Sequence, residues 1–151
     1  MALERGFSLI EIFIVFAIGG LVLAIALPLM QSYFDRIRVA QAVAEIADMS
    51  TAIRKQERSK GALPDSLGDV GLGGKTDPWG HPYEYVNLGD SKGNGQARKD
   101  KKLAPLNSDF DLYSIGADGA TAASLVNSKS RDDIVRARDG GFIGLASDFD
   151  P

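Results

Sequence analysis

The chain has 151 residues, a net charge of −3 and no cysteine. That length allows one modest domain, the charge gives no general attraction to nucleic acid or acidic lipid, and the lack of thiols excludes a disulfide framework and a cysteine metal centre. The single histidine, His81, would have to serve any histidine-based metal cage or Ser-His-Asp triad.

Phe7 opens an apolar stretch after a short leading segment, and from 12 to 30 every residue is apolar, Gly or Pro. As a helix, residues 7–30 would run about 36 Å, against a bilayer core of roughly 30 Å, so the stretch can span. It is longer than the apolar region of an ordinary secretory signal, and no Ala-x-Ala site follows it. The expectation is that it is retained.

Glu11 is the anomaly in this stretch. A carboxylate costs about 2.5–3.5 kcal/mol at a bilayer centre; near the end of the span it costs less, but it still requires a partner. Snorkelling to the headgroups is the simple reading. A cut after Gly6 offers another, because the new α-amino group on Phe7 would lie one helical turn before Glu11. The two could pair within one chain, or between neighbouring chains, where the pair would set the axial register of an assembly. Gly19-Gly20 lowers helix propensity, and Pro28 removes a hydrogen bond and crowds the preceding turn. Membrane helices tolerate both; the alternative is a bend or melted turn that lets subunits pack.

From 31 to about 58 the pattern stays helical and turns amphipathic. Ile37, Ala40, Val43, Ala44, Ile46, Ala47 and Ile53 recur at spacings of three and four, and Gly61 then Pro64 stop the helix. A continuous helix from 7 to 60 would be about 80 Å long. Turn residues then crowd the chain up to Pro82. Residues 83–86 and 110–115 alternate as strands do, and 141–145 form a weaker third strand candidate. Short antiparallel strands laid over the apolar face of the helix bury these residues most simply. The basic run Arg98, Lys99, Lys101, Lys102 reads as a solvated loop.

Arg5-Gly6 followed by Phe7-Ser8-Leu9-Ile10-Glu11 and an unbroken apolar run closely resembles the processing site of type IV pilins and type II secretion pseudopilins. The resemblance implies cleavage after Gly6 by a prepilin peptidase, N-methylation of Phe7, Glu11 as the register carboxylate, and Pro28 as the helix-bending proline. Glu4 offsets Arg5, a mild departure from the usual basic leader. Asp77-Pro78-Trp79-Gly80-His81-Pro82-Tyr83 and the run from Asp109 to Gly119 resemble the major pseudopilin of type II secretion. In that family the loop after Gly-Ala-Asp-Gly binds calcium, which implies Asp118 and the Ile115 carbonyl as ligands here, with Asp132 and Asp133 within reach. Ca²⁺ wants six to eight oxygens. The intervening residues 120–131 are longer and more basic than the family's short acidic stretch. The rival reading is a loop held by hydrogen bonds and an Arg131–Asp118 contact, with no ion.

An enzyme would need a constellation of catalytic groups. The chain has no Gly-x-Ser-x-Gly, no phosphate loop and no His-Glu-x-x-His, and His81 sits in a turn between Gly80 and Pro82, so no enzymatic role is expected. The reading is therefore an α+β pilin-like fold: a cleaved leader (1–6), a membrane and filament-core helix (7–30), an amphipathic helix half (31–60), and a loop and antiparallel-sheet domain (61–151). The function implied by the resemblance is a structural subunit of a type II secretion pseudopilus; the alternative is a type IV pilus pilin for adhesion, motility or DNA uptake. Its partners would be copies of itself in a helical filament, other pseudopilins or pilins, the prepilin peptidase and an assembly platform, with no nucleic acid. It would sit in the inner membrane by a single pass, with its C-terminal domain periplasmic.

Overall fold

The computed structural model describes residues 8–89 and 96–150. One long helix, α1 (Leu9–Lys60), precedes four short strands: β1 (Glu84–Asn87), β2 (Phe110–Ser114), β3 (Ile134–Ala137) and β4 (Phe142–Leu145). The chain forms two compact units, one up to Ile37 and one from Arg38 onward; α1 contributes residues to both. A long apolar helix with a four-stranded antiparallel sheet packed on its later part is the pilin-like α+β arrangement expected from the sequence.

In the first unit the described part of the helix is bare. From Ser8 to Ile37 every described side chain except Ala26 is exposed, including Phe13 at 72% and Phe16 at 75%. Among the described residues, α1 is the helix long and apolar enough to cross a membrane. Such a contiguous apolar surface, far beyond what a soluble monomer tolerates, has to be covered by lipid or by other helices.

In the second unit α1 becomes one wall of a core. Ala42, Ile46, Met49 and Ile53 are buried, at steps of four, three and four, which keep one stripe on one face. The expected stripe holds in part: Ile46 and Ile53 are buried and Val43 packs against the core, whereas Ile37, Ala40 and Ala44 are exposed. Ala42 and Met49 complete the buried stripe, because the sheet meets the helix on that side.

The strands follow one another in sheet order β1-β2-β3-β4, each antiparallel to the next. Alternation splits the sheet's residues between two cores. Phe110, Leu112 and Ile134 join the helix stripe, with Tyr85, Ile143 and Leu145 packed against them. Val135 and Ala137 face the other way and meet Leu106, Leu125 and Ala146, which come from loops. Helix covers one face and loops the other, so the two central strands are buried nearly throughout. This explains why β3 reads poorly as a strand from sequence: it has no polar–apolar alternation and carries Arg136 at its centre.

Arg136 is buried because its charge is matched. Its Nη1 donates to Asp109 Oδ1 (2.8 Å) and to the Phe110 carbonyl (2.9 Å), and its Nη2 donates to Asp109 Oδ2 (2.8 Å). The guanidinium also lies 4.0 Å from the Phe110 ring centroid. Arg54, from α1, donates to the same Asp109 Oδ2 (2.8 Å) and to the Asp139 carbonyl (2.8 Å). Burial pushes the Asp109 carboxyl upward, but the hydrogen bonds from Arg136 and the Phe110 N–H and the charges of Arg136 and Arg54 outweigh it and hold it below the usual carboxylate value. The cluster ties helix, β2 and β3 together at one point.

Two tyrosines tie the other end. Tyr83 OH donates to Glu45 Oε2 of α1 (2.6 Å), and Tyr85 OH to the Pro64 carbonyl (2.8 Å). Burial first, then the Glu45 hydrogen bond, push the Tyr83 phenol far above its ordinary value; burial and surrounding carboxylates do the same to Tyr85.

Two predictions follow from this packing. Ile46→Ala should cost about 2–5 kcal/mol in denaturant unfolding, whereas Phe16→Ala, on the uncovered part of α1, should leave the unfolding of the sheet domain unchanged. The raised phenols remain protonated in the fold, so the stability they contribute is fully present below about pH 10 and is lost as pH rises from there toward their folded values. Thermal melts by circular dichroism should therefore fall steeply above about pH 10, and Tyr83→Phe, which removes a hydrogen bond worth about 1 kcal/mol at neutral pH, should make that alkaline fall shallower.

Candidate functional site

The start of α1 is built around Glu11. Ser8 is the residue before the first helical turn, and its Oγ accepts the Glu11 N–H (3.3 Å) while Glu11 Oε2 accepts the Ser8 N–H (3.0 Å). This is a reciprocal capping box, which satisfies two of the backbone donors that a helix start leaves orphaned. The Ser-x-x-Glu spacing ahead of an apolar run is the sequence signal for it. The box uses residues 8–11 alone. Gly6 and Phe7, the expected cleavage and methylation positions, lie outside the described residues.

Farther along, a Cβ built on Gly19 or Gly20 would meet, beyond the helix's own adjacent backbone, no described atom within 4 Å. Nothing inside the chain requires glycine there. Pro28 lies within α1, which runs on through it to Lys60.

The two segments that resemble the major pseudopilin are brought together. Asp77 Oδ1 accepts the N–H groups of Trp79 (3.0 Å) and His81 (2.9 Å), and Asp77 Oδ2 accepts the Ser114 hydroxyl of β2 (2.5 Å). His81 Nδ1 lies 3.0 Å from the Gly116 carbonyl, and its ring fills the space above Gly119, where a Cβ would come within 2.9 Å of Nε2. His81 is thus a brace between two turns. Trp79 packs against the helix-side core.

The carboxylates assigned to calcium divide, with Asp118 and Asp132 together and Asp133 apart from them. Asp118 and Asp132 are neighbours: the Asp118 N–H donates to Asp132 Oδ2 (3.0 Å), and Asp118 Oδ1 accepts the Ala120 N–H (2.8 Å). Gly116, at φ +68°, lies so close to Asp132 that any Cβ would clash with its carbonyl at 2.5 Å. Asp133 turns into the domain instead, fully buried, and meets Arg98 and Thr121. Ile115 is half-buried just past β2. Among the described residues no three His, Cys, Asp or Glu side chains are grouped to hold a metal ion. Two neighbouring carboxylates supply at most four of the six to eight oxygens of a calcium shell, and Asp133 faces Arg98 instead.

The basic run also divides. Lys99, Lys101 and Lys102 are exposed, but Arg98 is 2% exposed and belongs to the interior. Arg98 therefore does not belong to the solvated loop expected from the sequence. Its acid partners, Asp111 and Asp133, lie 13 and 35 positions away, too far for local patterning to reveal.

No family model and no solved structure matches the chain. Curated proteins do. A fimbrial protein of Neisseria meningitidis is 35% identical over 86 residues, 57% of this chain and 51% of that protein, so the chain spans about half the length of this relative. The type II secretion system core protein G of Pseudomonas aeruginosa is 29% identical over 142 residues, 80% of this chain and 89% of its own length. A fimbrial protein of Pseudomonas aeruginosa is 35% identical over 98 residues, 61% of this chain and 64% of that protein. The chain is thus similar both to fimbrial proteins and to a type II secretion core protein, and its pilin-like fold agrees with that likeness.

Proposed function

We propose that the chain is a structural, non-enzymatic subunit of a type II secretion pseudopilus, held first in the inner membrane by α1 with its sheet domain in the periplasm, and then stacked through α1 into a helical filament. One observation carries this reading: an entire helix half whose apolar side chains the chain leaves uncovered. The reach of the likeness to core protein G, over 89% of that protein, favours the secretory filament over a pilus. The fimbrial likenesses reach 51% and 64% of theirs.

Lipid tails are as apolar as leucine, so moving α1 from bilayer to filament gains little from hydrophobicity alone. Register must come from polar contacts and close packing. Cleavage after Gly6 by a prepilin peptidase would leave Ser8 and Glu11 intact and put a methylated amine on Phe7, next to the cap. The Glu11 carboxylate, set by its bond to the Ser8 N–H, would then take the Phe7 amine of a neighbouring copy and fix each axial step. Gly19 and Gly20, unneeded by the chain's own packing, would let a neighbouring helix approach closely, and Pro28 would allow α1 to bend in the bundle. Other pseudopilins and an assembly platform are the further partners implied.

Glu11→Ala should leave the protein membrane-inserted and its sheet domain folded but stop filament formation, read by pull-down of assembled filaments from cells; normal filaments from that variant would remove the register role. Gly6→Leu should block removal of the leader, seen as an uncut N-terminus by mass spectrometry, and abolish secretion. Co-purification with a secretin-type secretion complex is the expected result; long surface fibres seen by electron microscopy would favour the pilus reading instead.

A further inference from the structure

The loop between β2 and β3 already holds a cation. Arg98 lies under it, and its guanidinium reaches two groups from different segments. Nη1 donates to Thr121 Oγ1 (2.8 Å), and Nη2 pairs with Asp133 Oδ2. Thr121 OH closes the triangle by donating to the same Asp133 Oδ2 (2.6 Å). The guanidinium also lies 4.1 Å from the centroid of the Tyr113 ring on β2.

The backbone holds Arg98 as firmly as the side chain does. Its N–H donates to Asp111 Oδ2 (2.7 Å), and its carbonyl accepts the Leu106 N–H (2.8 Å). Next to it, Lys99 N–H donates to the Ala123 carbonyl (2.9 Å) and Leu125 N–H to the Lys99 carbonyl (3.0 Å). The segment carrying Arg98 is thus stitched to the same loop that the family resemblance assigns to calcium.

We infer that Arg98 is the built-in cation of the β2–β3 loop, taking up the buried carboxylate of Asp133 and the hydroxyl of Thr121 so that the domain holds this loop without a divalent ion. The chemistry supports the exchange. A guanidinium stays charged at any physiological pH and presents a rigid fork of donors suited to a carboxylate and a nearby hydroxyl. Asp133 is completely buried, so it must be matched. Asp133 Oδ1 and Arg98 Nε have no hydrogen-bond partner, but one leftover oxygen is far short of a calcium shell. Asp118 and Asp132, the other carboxylates assigned to the ion, are bound up with each other's turn and lie on its outer side.

The test uses the full chain in detergent micelles. Thermal melts with millimolar calcium chloride and with a chelator should coincide, because a filled site would raise the midpoint by several degrees through mass action. Arg98→Gln and Asp133→Asn should each lower the midpoint by several degrees, and the double variant should lower it by clearly less than the sum of the two, since both remove one interaction. A saturable, calcium-dependent rise of the wild-type midpoint would overturn the inference, as would strict additivity of the two substitutions. If Arg98→Gln fails to fold, the wild-type calcium titration decides alone.

Discussion

The constraint on which the rest depends is an uncovered helix. α1 is apolar on all sides over its first part, and its described side chains there are exposed except Ala26. A helix of this kind satisfies its own backbone hydrogen bonds and needs only an apolar surrounding. Lipid provides that, and so do like helices. One segment can therefore serve in two settings without refolding, which is what the proposed passage from membrane to filament requires. The polar exception, Glu11, sits at the helix start, where the capping box with Ser8 gives it work in either setting.

The sheet domain meets the opposite demand, since it has to keep its shape in water with a small core and no disulfide. It does so around two buried guanidinium groups. Arg136, joined by Arg54, gathers helix, β2 and β3 onto Asp109; Arg98 gathers two loops onto Asp133. Buried ion pairs of this sort add less net stability than their geometry suggests, because desolvation offsets much of the attraction. What they contribute is position. An Asp109 shared by two arginines from distant elements tolerates few alternative registers, and the alternation that would otherwise set the register is missing in β3.

These same clusters mark where the sequence stops being legible. The helix, its stop near Gly61, and β1, β2 and β4 could be read because apolar spacing and turn residues act locally. The edges of the helix stripe could not: Ala42 and Met49 join Ile46 and Ile53 in it while Ala40 and Ala44 do not, since it is the sheet that chooses which face to cover. β3 was hidden by Arg136, whose burial makes sense only once Asp109 is known to lie beside it. Arg98 was hidden among lysines, and Asp133 was grouped with Asp132 although adjacent residues near a strand point to opposite sides. The braces between the 77–83 and 109–119 segments, Asp77 to Ser114 and His81 to Gly116, were visible only as two separate motifs. Glu11 stood out at once as an isolated charge, but its cap role needed attention to Ser8.

The central claim, that the bare part of α1 is covered by copies of itself in the working assembly, can be read most directly by cross-linking, because the chain has no cysteine of its own. Phe16→Cys should give ladders of covalently joined copies when a thiol cross-linker is added to secreting cells, and Ile46→Cys, inside the domain core, should give none. Single copies only, with position 16 open to a polar maleimide from water while secretion continues, would contradict the account.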